Sequence, residues 1–248
     1  MKRFSAEASA AMKHARKRRS YNSTSVLIFH WENDDLNIIT GENRLVDIFC
    51  RVYDFQMETF TIPLVDSQFA LLLHLRTWFD NNQGKNVLRI IVYSGRARNA
   101  GTTAFRWELA GRTDRHGALQ GPRLSWWAVR EFLREFAGDT CYVFDCHLAG
   151  SLVLGDDDGD ELLVSRGSNA IASSSDSWPF SKALVDTLSD LDGRPATLAQ
   201  IYTKLSHWAQ QTQAVSCPIH VPKLGKPSIT IARAGVPKAS LSSDDNKL

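Results

Sequence analysis

The chain is poor in cysteine and has no long apolar run. Its four cysteines among 248 residues, Cys50, Cys141, Cys146 and Cys217, fall at no CxxC spacing and join no paired Cys/His set. This excludes a disulfide framework and a zinc module, and it suits a reducing compartment. No apolar stretch reaches the ~18 residues of a membrane-spanning helix, and there is no secretory signal core, so no membrane association is expected. A basic surplus is also missing outside the first twenty residues. Residues 1–20 hold seven Lys or Arg against Glu7, a charge of +6, so a total of +2 leaves −4 on the rest. The folded body thus gives no electrostatic case for binding nucleic acid.

The basic charge sits in MKRFSAEASAAMKHARKRRS, which is Ala-rich and nearly free of acid. Residues 1–22 are expected to form a flexible, partly helical arm. A cytoplasmic protein is the expectation, with nuclear import through KHARKRR and mitochondrial import through the arm as alternatives. Residues 236–248 are polar and are expected to form a disordered tail, which leaves 23–235 as the folded domain.

Strand and helix signals alternate through that domain. TSVLIFHW (24–31), NVLRIIVYS (86–94) and TCYVFDC (140–146) are apolar runs of buried strands. QMETFTIPL (56–64) alternates and stops at Pro63 like an edge strand, and ELLVSRG (161–167) is a short strand. Residues 42–53 place Leu45, Ile48, Phe49 and Val52 on one helical face. Further helices follow over 66–79 with Asp66 as cap, after Ser125, over 179–191, and after a Thr197/Gln200 capping box. Residues 95–124 read as a long functional loop with a hairpin near FRWEL, and PSITIARA (227–234) reads as the last strand. Strands separated by helices imply crossovers, hence an α/β fold with a mostly parallel sheet covered on both faces. Ligands of such sheets bind beyond the carboxyl ends of the strands. Tyr93–Arg98 and Asp145–Gly150 are two such ends.

The pieces VLIFHWENDDL, RIIVYSGRA, LSWWAVREFL, CYVFDCHLAG, ELLVSRGS and PFSKALVDTL occur in order. Together, from about Val26 to Ile231, they resemble the caspase-like domains of metacaspase type found widely in fungi. The resemblance implies a three-layer α/β sandwich whose mostly parallel sheet has about six strands. No cofactor is expected, and the residues offer no metal site. It also implies a cysteine peptidase dyad. The general-base histidine of the family maps to Arg96 and its nucleophilic cysteine to His147, 51 positions on (147 − 96).

Both mapped positions depart from that chemistry. A guanidinium stays protonated at neutral pH and cannot act as a base. An imidazole brings no sulfur nucleophile. Losing one partner of such a unit removes most of the rate. The expectation is a catalytically silent domain that serves as a regulatory or interaction module. Its partner would be a protein or peptide, another caspase-like domain included. The alternative is an active cysteine endopeptidase cleaving after basic residues through Cys146. Cys146 stands one residue early, so alternation should turn it into the packing when position 147 faces the cleft.

Pocket-like acids are implied at Asp145 and at Asp34 and Asp35, the last two in the turn after the first strand. Asp145 is expected either to pair with Arg96 or to be solvated. The GDDDGDE loop has no glycine at the sixth position from Asp156, so it does not fit an EF-hand. Cys50, Cys141 and Cys217 are expected in the core, and His30, His74 and His207 in structural roles. Trp107, Trp126, Trp127 and Trp178 are read mainly as packing, with Trp178 also placed to line the cleft rim.

Overall fold

The computed structural model describes residues 21–99, 107–147, 160–166, 179–212, 217–222 and 226–235. In chain order its strands begin with β1 (Ser23–Trp31), β2 (Gln56–Ile62), β3 (Val87–Asn99), β4 (Trp107–Ala110), β5 (Arg112–Thr113) and β6 (Leu119–Gln120). They continue with β7 (Leu124–Ser125), β8 (Asp139–His147), β9 (Asp160–Arg166), β10 (Ala196–Thr197), β11 (Cys217–Val221) and β12 (Thr230–Ile231). The helices are α1 (Ile39–Arg51), α2 (Ser67–Asn81), α3 (Trp126–Leu133), α4 (Pro179–Leu191) and α5 (Leu198–Gln211).

Val26, Leu27, Ile28 and Phe29 of β1 are all fully buried. Burial on both sides is what a central parallel strand demands. The sheet order is β11-β9-β8-β3-β1-β2. Every neighbouring pair in it is parallel except β11 with β9. Alternation along the strands feeds two cores. Val26, Ile28, Ile90, Val92, Cys141 and Val143 pack with α1, α4 and α5. Leu27, Phe29, Ile91, Tyr93, Tyr142, Phe144 and Cys146 pack with α2 and α3. The result is the three-layer α/β sandwich with a mostly parallel sheet of six strands along its main path.

Several local expectations change. Strand β3 runs on to Asn99, and β4 pairs back on it antiparallel, so residues 96–99 and 107–110 carry ladder rather than open loop. The last main-sheet strand is β11 and not PSITIARA. Of the latter only Thr230–Ile231 pairs, and it pairs with β10 in a separate ribbon. Pro218 has no N–H to give a ladder, which is tolerable because β11 is an edge. Asp66 does not cap α2: its φ is 51° and its side chain accepts no capping bond. Ser125 does cap α3, accepting from the Ala128 N–H, and Thr197 and Gln200 form the full capping box. Cys50 is exposed on α1, against the expectation of a core thiol, whereas Cys141 is buried. Trp127 is 52% exposed, so it is not packing, while Trp107 and Trp126 are buried. The arm at 1–20, the acidic run at 154–159, Trp178 and the tail at 236–248 lie outside the described residues, and so does the Cys217 side chain.

Arg89 is a charged residue inside this fold, with no exposure at all. Its guanidinium lies over the Phe79 ring at 4.5 Å and Nη2 donates to the Ala137 carbonyl at 2.8 Å. Gly138 makes room for it: a Cβ there would sit 2.9 Å from Nη2.

Candidate functional site

The two strand tips meet in register. Strands β3 and β8 pair Ser94 with Asp145, Gly95 with Cys146, and Arg96 with His147. Sequence positions 51 apart are therefore nearest neighbours at the carboxyl-end rim, where α/β sheets bind ligands. The β8–β9 register shifts between Phe144 and His147, a β-bulge or similar irregularity. Only the backbone of His147 is described.

The Tyr-Ser-Gly sequence before Arg96 has a geometric cause. The Tyr93 hydroxyl folds over Gly95 and donates to the Arg96 carbonyl at 2.8 Å and the Ala110 carbonyl at 3.2 Å. A Cβ on Gly95 would lie 2.6 Å from that hydroxyl, and the residue's φ is 152°. Glycine is therefore required there, both for space and for backbone conformation. Tyr93 is fully buried and positions the backbone at the site.

Arg96 does not pair with Asp145. Its Nε donates to Asp35 Oδ1 at 2.9 Å, with each side chain about a quarter exposed (23%). Asp35 Oδ2 accepts from the Thr113 N–H at 3.1 Å, and the Asp35 N–H donates to the Gly111 carbonyl. The turn after β1 is thus tied to β3 and β5. Asp34, next to it, accepts from the Leu36 N–H at 2.7 Å, while its Oδ2 is buried without a partner. Burial, with the Asp35 charge adding, pushes its carboxyl up to about 6; the Leu36 bond, Arg96 and His30 oppose this. A carboxyl raised on folding contributes stability below its unfolded value of 3.8 that is lost as pH rises through about 6. Asp34→Asn should therefore raise the melting temperature at pH 7.5 by about 2–4 °C, and by less at pH 5, after discounting for partial exposure. Thermal melts at the two pH values check this.

Asp145 is neither solvated nor joined to Arg96. It is buried, and its Oδ2 accepts from both the N–H and the hydroxyl of Ser181 in the first turn of α4. Alternation explains this: Asp145 shares the face of Cys141 and Val143, which looks toward α4. Burial pushes its carboxyl up to about 7, against the two bonds from Ser181. Cys146 points the other way, into the core with Tyr93, Phe144 and Trp126, and is 1% exposed. Burial and the adjacent Asp145 push its thiol well above the ordinary value. A reactive cysteine shows the opposite: a lowered pKa and an open side.

Five histidines have described side chains, and all are engaged elsewhere. His30 Nδ1 contacts Glu42 at 2.8 Å, a bond that raises its pKa, and its Nε2 lies 3.3 Å from Thr61. His74 pairs with Glu58 and stacks on Phe60. His116, His207 and His220 contact Arg115, Gln211 and Glu161. None of the contacts described for these rings is with Cys146. Sequence reasoning put Tyr93 at a strand end without giving its side chain a role, and it missed Ser181 and Thr113. For Tyr93 the Tyr-Ser-Gly triplet was a usable signal.

A parallel sheet in this order, with helices on both faces and its rim built at the ends of β3 and β8, defines an α/β domain of caspase-like fold. Among solved structures, the chain is similar to the Drosophila initiator caspase Dronc with a TM-score of 0.58 and 8% identity, over 87% of this chain and 85% of that one. It is similar to caspase-1 from Spodoptera frugiperda with a TM-score of 0.53 and 10% identity, over 86% of this chain and 96% of that one. No protein-family profile and no curated sequence matches the chain.

Proposed function

We propose that the protein is a catalytically silent caspase-like domain, a pseudopeptidase that works as a regulatory or interaction module toward a protein or peptide. One observation supports the reading: Arg96, which the resemblance maps to the base, is held by Asp35, while the thiol of the neighbouring strand tip, Cys146, is turned into the core. Amide hydrolysis by cysteine needs a thiolate and an imidazole that passes a proton to the leaving amine. A guanidinium is already protonated and has no acceptor site, so Arg96 cannot take a proton from a thiol at neutral pH. Cys146 has no open side from which to attack. Another caspase-like domain is the partner that the resemblance favours, and it is an analogy of fold.

The test is direct. Purified full-length protein is incubated with fluorogenic peptides ending in Arg or Lys, and with a thiol-directed covalent probe. No turnover is expected, and Cys146→Ala should be indistinguishable from wild type. Turnover that Cys146→Ala abolishes would overturn the proposal. Labelling of Cys146 without turnover would show an accessible thiol and contradict its burial, while leaving catalysis absent.

A further inference from the structure

The two edges of the main sheet are finished differently. On one side β11 is five residues long and carries Pro218. On the other, β2 ends the order, and among the described residues no strand pairs with its far side. Natural edges are blunted by lysine, proline, a bulge or short length. Strand β2 has none of these. Its seven residues, QMETFTI, include no Pro, Lys or Arg, and its register with β1 runs unbroken from Ser25 opposite Gln56 to Trp31 opposite Ile62. The direction of its main chain is fixed by that register. The Ile62 carbonyl accepts from the Glu32 N–H at 3.0 Å, so Ile62 turns its main chain toward β1, and so do Phe60, Glu58 and Gln56 at every second position. Met57, Thr59 and Thr61 therefore turn their N–H and C=O groups away from the sheet.

The charge beside this edge has one sign. Residues 52–75 contain Asp54, Glu58 and Asp66, all exposed, and no Lys or Arg. Glu58 faces α2, where its Oε1 lies 3.1 Å from His74 Nε2 while its side chain stays half exposed. We infer that the β2 edge takes an extended, basic peptide segment of a partner protein as an added strand. Outward N–H and C=O groups on alternate residues are matched by another extended main chain, which supplies the affinity in this mode of recognition. The acids select Lys or Arg beside Glu58, because opposite charges stabilise a strand pair and like charges destabilise it. The same charges disfavour a second copy, whose β2 would bring acids against these acids. This inference concerns the sheet edge and is independent of the chemistry at the strand tips.

Amide exchange of the full chain, followed residue by residue by NMR, tests it. The probe is a short peptide alternating Lys and Val. One control peptide has Glu for Lys, and another has every amide N-methylated. The amides of Met57, Thr59 and Thr61 should exchange fast in the free chain and slow by about tenfold or more with the Lys/Val peptide. Neither control should have this effect, and the protection should saturate and weaken with added salt. Thr59→Pro removes an outward N–H where an edge strand tolerates proline, and it should abolish protection of Met57 and Thr61 at an unchanged circular-dichroism spectrum. Glu58→Lys should weaken binding by about tenfold or more. If Thr59→Pro disturbs the fold, the N-methylated peptide makes the same test on the wild type. No protection, protection by the N-methylated peptide, or equal protection by the Glu/Val peptide would overturn the inference. So would slow exchange at these amides in the free chain: a rate independent of concentration would mean that the chain's own arm covers the edge, and a concentration-dependent one that a second copy does.

Discussion

Between pH 4 and pH 7.5 the wild-type protein should lose about 4 kcal/mol of stability relative to Asp145→Asn. The cause is one carboxyl group. Asp145 is buried and titrates at about 7 in the folded chain, against 3.8 when unfolded. A group whose pKa rises on folding contributes its full stability below the unfolded value. That stability drains away as pH climbs to the folded value. The window is therefore about 3.8 to 7, and the sign is a loss with rising pH. Urea unfolding of both proteins across the window gives the difference, whose pH dependence is the measured quantity. Any constant offset from packing an amide against Ser181 cancels. A difference that stays flat with pH would refute the assignment. Ser181→Ala should widen the effect, since it removes the hydroxyl bond that favours the ionised form and keeps only the backbone N–H. At neutral pH this aspartate costs stability at the rim of the sheet, where a site would be.

The parts of this fold written in continuous apolar runs were legible. Strands β1, β3 and β8 are buried on both faces, so their residues carry the signal without help from neighbours. The caps at Ser125 and Thr197 were legible because capping is local chemistry within three residues. Strand β11 was not, because five residues that include Pro218 at a sheet edge have no alternation to read. Long-range polar pairing was illegible for a different reason. Asp35 meets Arg96 across 61 residues, and Asp145 meets Ser181 across 36. Which aspartate takes the arginine depends on where the turn after β1 and the start of α4 come to rest. In the sequence only Asp145 stood out as a partner for Arg96, with Asp34 and Asp35 read as acids of the turn after β1, and tertiary placement gave the arginine to Asp35. Trp127 was misread because a tandem Trp126–Trp127 pair on a short helix must put one ring out when the other is in.

Glu161→Ala should destabilise the protein by about 3–5 kcal/mol, since it strips the acceptor from three groups at roughly 1–3 kcal/mol each. In the sequence Glu161 closes the acidic GDDDGDE run and opens the short strand ELLVSRG. In the fold it is wholly buried at the start of β9. Its Oε1 meets His220 Nε2 of β11 at 2.6 Å and accepts the Ser228 hydroxyl, and its Oε2 accepts the Ile229 N–H at 2.6 Å. Ser228 in turn accepts the Ala199 N–H, and the Ile229 carbonyl accepts the Leu198 N–H. One carboxylate thereby joins β9, β11, the approach to β12 and the first turn of α5. Alanine would leave a buried imidazole, a hydroxyl and a backbone N–H without their acceptor, each a desolvated group left unpaired. Glu161→Gln keeps one oxygen for the Ile229 N–H and should lose about 1–3 kcal/mol. Urea unfolding measures both losses, and hydrogen exchange should show the amides of β11 and β12 opening first. A loss below about 1 kcal/mol for alanine would mean that the carboxylate is not the tie. The consequence reaches the rim, because β9 pairs with β8 up to the irregularity between Phe144 and His147. Among the described residues Glu161 is the acid with least exposure, and it anchors the strand that pairs with β8 below the tip.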